Sequence, residues 1–281
     1  MPFLSNDQII ELNTKLSSDP VKLKKIYNSK KKDSFRISED HNLVDDLLTD
    51  GWVVESRLKT KTILVKEKSH SKKFEDEIWC QLYELGYTTL NIDENLELPF
   101  GPDSKDKKQI DILAINSETV LIVECKSSKK LKKAPSYKDE FELLGLRIDG
   151  FTKSLKQLLN HQFKVKFIFA TRNLRIDKDG VDFKRLDRTK SFHHNDNSYQ
   201  YVKSLIKNYK GAATYQFMGL LFKNQLINND KIEIPAVQGE MGGLKYFMFS
   251  IEPGTLLKMG FILHRTKANE EDMPTYQRLL V

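Results

Sequence analysis

The sequence predicts an α/β protein: a mixed sheet flanked by helices, preceded by a small N-terminal α+β unit and followed by a partial C-terminal α+β domain. Three observations predict it. Residues 109–115 (QIDILAI) and 119–126 (TVLIVECK) are short runs rich in Ile, Val and Leu, joined by the polar turn Asn116-Ser117-Glu118, as adjacent strands would be. Both runs are apolar on both faces, which marks central strands covered by other elements. Helical patterns precede and follow this pair, and a further apolar run at 165–171 closes the unit, so helices and strands alternate.

In chain order, Ser5 or Asn6 can cap a first helix whose apolar side is Ile9, Ile10, Leu12 and Leu16. Asp19-Pro20 is a cap followed by a first-turn proline and opens a second helix. Residues 1–32 therefore read as a helical arm, ending in the lysine-rich linker Lys30-Lys31-Lys32-Asp33. Residues 33–70 read as a small unit of one helix (40–50), stopped by Gly51, and two strands (52–56 and 60–66).

The main domain is expected at 71–172. Phe74, Ile78, Leu82 and Leu85 recur at helical spacing up to Gly86. A strand at 90–98, the loop 99–104, the apolar strand pair, a helix at 139–160 and the strand 165–171 complete it. Residues 173–281 read as a second, partial domain. It has a polar loop with His193-His194, helices at 198–209 and 212–222, and strands at 231–237, 245–252 and 261–265.

Bulk properties exclude some classes. No apolar run approaches the ~20 residues of a membrane span, and Met1-Pro2-Phe3-Leu4 runs into polar sequence instead of a signal-peptide core. A cytoplasmic protein with no membrane partner is expected. Cys80 and Cys125 cannot build a disulfide framework and read as buried small hydrophobes. The net charge of +7 points only weakly to nucleic acid, but the lysines are grouped. Lys105, Lys107 and Lys108 lie on one side of the strand pair, and the run at 126–138 lies on the other.

Charge interrupts the two apolar strands at Asp111, Glu124 and Lys126. Buried ionisable groups are costly unless paired or bound to metal. Glu124 and Lys126 are two apart, so they share a strand face, and Cys125 points away. Asp111 and Glu124 suit Mg²⁺, with Mn²⁺ as a substitute, because the ion prefers carboxylates and keeps several waters. The Cys125 backbone carbonyl is a candidate third oxygen, and Glu75, opening the 71–86 helix, can act through a water. Lys126 can orient or deprotonate the attacking water and offset charge on a phosphate. A buried ion pair is the competing reading of the same charges. Candidate nucleic-acid contacts are Lys108, Gln109, Lys129, Lys130, Lys132 and Lys133, with Gln157 on the following helix.

Asp111 followed by Glu124-Cys125-Lys126 across a hydrophobic hairpin, with Phe74-Glu75 opening a helix that ends at Gly86-Tyr87, resembles the PD-(D/E)xK nuclease superfamily. The family's proline before the Asp is replaced by Ile110. The resemblance implies a restriction-endonuclease-like fold and Mg²⁺-dependent DNA cleavage with Asp111, Glu124, Lys126 and Glu75 as the site; cutting both strands would favour a homodimer. In the tail, Tyr215-Gln216, residues 234–237 (IPAV), Gly242-Gly243, residues 246–249 (YFMF) and Tyr276-Gln277-Arg278 resemble the opening of DGQHR domains related to the DndB protein of DNA phosphorothioation systems. That likeness implies a role in bacterial DNA modification or defence. A non-catalytic DNA-binding or regulatory protein on the same fold is the alternative expectation.

Overall fold

The computed structural model describes residues 4–92, 94–101, 103, 105–117, 119–134, 137–160, 163–176, 191–209, 213–214, 217, 221, 238–241 and 244–247. The chain divides into two compact units, Met1–Tyr199 and Gln200–Val281. The first begins with α1 (Asn6–Thr14), β1 (Leu16–Ser17), α2 (Pro20–Lys30), β2 (Ser34–Asp40), a 3-10 turn (His41–Leu43), α3 (Val44–Thr49), β3 (Val53–Arg57) and β4 (Lys61–Glu67). It continues with α4 (His70–Glu84), β5 (Thr89–Asn91), β6 (Glu97–Pro99), β7 (Lys107–Gln109), β8 (Ile112–Ile115) and β9 (Thr119–Lys133). Next come α5 (Lys138–Leu159), β10 (Lys164–Arg175), β11 (Ser191–His194) and α6 (Asp196–Tyr209), inside which the boundary falls. In the second unit, β12 (Gln238–Met241) and β13 (Leu244–Phe247) form an antiparallel hairpin. Most residues that carry the DGQHR likeness lie outside the described residues, as do the predicted strands at 231–237 and 261–265.

A mixed sheet of six strands in the order β1-β5-β8-β9-β10-β11 centres the first unit. Pairing is antiparallel from β1 to β9 and parallel from β9 to β11. Leu113, Ile115, Val120, Ile122, Phe167 and Phe169 share one face and cluster with Phe151 and Leu155 of α5. Gly150 lets α5 approach closely, since a Cβ there would stand 1.9 Å from the Phe100 carbonyl oxygen. The opposite face meets α4, where Arg172 stacks over Phe74 and donates to Glu77 at 2.8 Å. Gly86, at φ 91°, follows the end of α4 as its position predicts.

Several expectations need correction. The N-terminal helices are not an accessory arm: Leu4, Leu12 and Leu16 belong to the main core, and β1 forms the sheet's edge against β5. Apolar burial in α1 is what ties it in, despite its mostly polar sequence. The 33–70 unit has a third strand, β2, in the order β2-β4-β3. Its Arg36, Glu39 and Asp40 masked the period-two pattern of Phe35 and Ile37. The predicted strand at 90–98 is two short strands, and the loop after it leads into β7, which pairs with β6. The run Lys129–Lys133 is strand, an extension of β9 alongside β10. His193-His194 lies on β11 and pairs with β10 instead of sitting in a loop.

His194 is buried, its Nε2 facing Gln81 Oε1 at 2.8 Å and its Nδ1 facing Ser198 Oγ at 3.0 Å. Gln81 donates its amide to Tyr199 O, which turns Oε1 toward the ring and places the imidazole proton on Nε2. Burial pulls His193 down to about 4 and His194 to about 3. In the unfolded chain both titrate near the ordinary histidine value, so stability is held above about pH 6.5 and lost as pH falls toward 4. Thermal unfolding followed from pH 7 to 4 should show a falling midpoint, with a slope of up to ~1.4 kcal/mol per pH unit for each ring. The same series on a His193→Gln/His194→Gln protein should be shallower.

Candidate active site

Asp111 sits in a bend one residue before β8, where it would continue the β8/β9 ladder opposite Glu124. The backbone N–H of Cys125 donates to its Oδ2 at 2.7 Å, fixing the carboxylate between the strands. Asn91, on β5, locks the same segment from behind. Its amide donates to Asp111 O at 3.1 Å, and its Oδ1 accepts from Leu113 N at 3.1 Å. Sequence reasoning missed Asn91, which ends the short β5 between Leu90 and Ile92 and is buried, where an amide must find partners.

Glu124 is buried, and each of its oxygens carries an ammonium: Oε1 receives Lys126 Nζ at 2.8 Å, and Oε2 receives Lys108 Nζ at 3.1 Å. Lys126 shares the Glu124 strand face as predicted. Lys108 enters from β7 and proves to be part of the site, a role the spacing alone did not indicate. Burial, then the charge of Glu124, push the Asp111 carboxyl up to about 6, against the opposing hydrogen bond from Cys125. Glu75 adds to that push, so the three acids act on one another. Glu75 and Asp111 line one cavity of about 150 Å³, together with Asn91, Gln109, Lys72 and Lys30. Burial raises the Glu75 carboxyl, and Lys72, 3.5 Å away, opposes that rise. The helix rotation left open by the sequence thus turns Glu75 inward.

Cys125 contributes its N–H, while its thiol, facing the other way, is pushed well above the ordinary value by burial. Gln109 donates to Glu94 O at 3.2 Å and stays beside the cavity. Gln157 is not a site residue: it accepts from Leu4 N at 2.7 Å and donates to Leu4 O at 2.7 Å, clamping the N-terminal segment to α5.

Beyond the acids, β9 and β10 diverge from regular pairing. Arg172 faces Ser127, but Leu174 faces Lys132, so four β9 residues bulge opposite the single Asn173. Asn173 adopts φ 54° and donates to Ser128 O at 2.9 Å, stitching the bulge. Lys129 and Lys130 in the bulge, and Lys132, Lys133 and Arg175 past it, are all exposed, and the last three line a groove with Leu131 and Ile176.

The donor set suits a small hard cation: two hard-oxygen acids set close enough to repel one another gain from a positive charge between them. Among the described residues, no group of three or more His, Cys, Asp or Glu is arranged to hold a metal ion. Two carboxylates completed by waters and a phosphate oxygen are the arrangement Mg²⁺ commonly takes.

No family model matches the chain, and no curated protein matches it. The crystal structure of protein VC1899 from Vibrio cholerae is similar over 73% of this chain at 12% identity, with a TM-score of 0.28. The chain spans about half, 53%, of that protein. Among the described residues, no helix is long and apolar enough to cross a membrane.

Proposed function

We propose that the protein is a Mg²⁺-dependent DNA endonuclease with a restriction-endonuclease-like fold of the PD-(D/E)xK type, acting in bacterial DNA modification or defence. The observation that carries the reading is the convergence of Asp111, Glu124 and Lys126 on the two central strands β8 and β9, with Glu75 turned toward Asp111. The mixed sheet between α4 and α5 supports the fold assignment.

Asp111, Glu124 and the carbonyl of Cys125 would hold the cation. Such an ion supplies Lewis acidity and a more acidic water for phosphodiester hydrolysis. The chain's own part is positional. Cys125 N–H and Asn91 keep Asp111 aimed between the strands. Lys126, tied to Glu124, stands where it can orient the attacking water and offset charge gathering on the phosphate.

The test is incubation of purified protein with supercoiled DNA and RNA in Mg²⁺, Mn²⁺ or EDTA. Metal-dependent nicking or cutting of DNA is expected, and no cleavage under any condition would sink the proposal. A second reading, a DNA-binding protein with a structural ion cluster, is favoured by the pairing of both Glu124 oxygens with lysines. It predicts binding indifferent to EDTA and to Glu124→Ala, with no cleavage.

DNA contact is assigned to the basic strand extension. Each lysine that neutralises a phosphate steepens the fall of log K with log salt by about 0.9. Replacing Lys129, Lys130, Lys132 and Lys133 together by alanine should therefore flatten that slope by about 3 to 4, measured by fluorescence anisotropy in EDTA. An unchanged slope places the DNA elsewhere.

A further inference from the structure

We propose that Lys108 is a displaceable ammonium that occupies Glu124 in the metal-free protein and yields it when a divalent cation binds, a role that rests on the metal-dependent reading above. The two lysines on Glu124 are not equivalent. Lys126 is two residues away on the same strand face of the central sheet, so the backbone of β9 holds it beside the carboxylate. Lys108 arrives from β7, three residues long and paired with β6 in a separate two-stranded ribbon. That ribbon shares no ladder pairing with the main sheet, while its Leu98 is packed into the core, so release of Glu124 is a turn of the Lys108 side chain and not a movement of the backbone.

Alternation along β7 turns Lys108 inward, while Lys107 and Gln109 are exposed. The Lys108 side chain is 23% exposed against 10% for Glu124, so it caps the carboxylate from the solvent side. With Lys126 on Oε1 and Lys108 on Oε2, a cation approaching either oxygen meets an ammonium already there, and the repulsion favours the departure of one of them. Lys108, which is not held beside Glu124 by the backbone of β9, is the one to go. Once released, it remains a positive charge at the rim of the site, available to a phosphate.

The experiment is calorimetric titration of DNA-free protein with Mn²⁺. Lys108→Ala should bind Mn²⁺ about fivefold more tightly than wild type, the factor that corresponds to about 1 kcal/mol of displaced ion pair. Lys108→Met, which keeps the stem, should reproduce the gain even where alanine loosens the ribbon. Lys107→Ala, whose side chain pairs with Glu97, should match wild type. At saturating Mn²⁺ both Lys108 variants should cleave DNA more slowly, because the ammonium is then missing from the phosphate. Equal or weaker Mn²⁺ affinity in both Lys108 variants overturns the role of Lys108 alone. An absence of Mn²⁺ binding by every protein, wild type included, overturns the metal reading itself.

Discussion

Glu124→Ala protein is expected to fold as stably as wild type and to lose metal-dependent DNA cleavage. Glu124 is an acid in a low-dielectric position, and its charge helps hold Asp111 at about 6. Removing it relieves that repulsion and leaves Lys108 and Lys126, 23% and 30% exposed, able to turn to water. The thermal midpoint should stay close to wild type or rise. Cleavage should fall to background, and Lys126→Ala should lose about a hundredfold to a thousandfold, the scale on which single charge-stabilising groups act. A residue kept for structure behaves in the opposite way. If Glu124→Ala melted far below wild type while still cutting DNA, the cluster would be an ion-pair scaffold and the assignment of the cleavage site to Glu124 would fail.

Asp76→Ala, one position from Glu75, should show that opposite behaviour by destabilising the protein by about 3–5 kcal/mol. Asp76 is 2% exposed and faces three lysines: Lys30 at 2.6 Å and Lys72 at 3.5 Å from Oδ1, and Lys68 at 2.8 Å from Oδ2. Burial pulls its carboxyl up, but the lysines outweigh that and hold it below the ordinary aspartate value. Lys68 is itself 2% exposed and also donates to Ser29 O and Lys30 O at the end of α2. Removing the aspartate leaves that ammonium buried with carbonyls alone, in a joint between α2, the end of β4 and α4. The midpoint should drop by roughly 6 to 20 °C. Asp76→Asn, which still offers an acceptor, should lose less. Calorimetry of the two proteins checks the prediction, and a change within 1 °C for Asp76→Ala would refute the joint.

The strand pair around Asp111 and Glu124 was legible because burial on both faces writes itself as unbroken Ile, Val and Leu, against which a charge stands out. Caps were legible for a similar reason. Ser5, which forms a capping box with Gln8, and Asp19, which accepts from Val21 N, act within three residues and need no distant partner. Edge elements were harder. β1 is two residues long, and β2 carries three charged residues on a half-exposed sheet, so neither has a pattern that differs from a loop.

By itself, then, the sequence determined the α/β class, the central strands and the shared face of Glu124 and Lys126, because strand periodicity alone dictates those. Tertiary structure decided that Glu75 turns toward Asp111, that Asn91 braces it, that Lys108 reaches Glu124 and that Gln157 serves the N-terminal segment. Each of these depends on helix rotation or on ribbon placement across 16 to 153 residues of chain. No local pattern encodes that distance, and only packing brings the partners within a hydrogen bond.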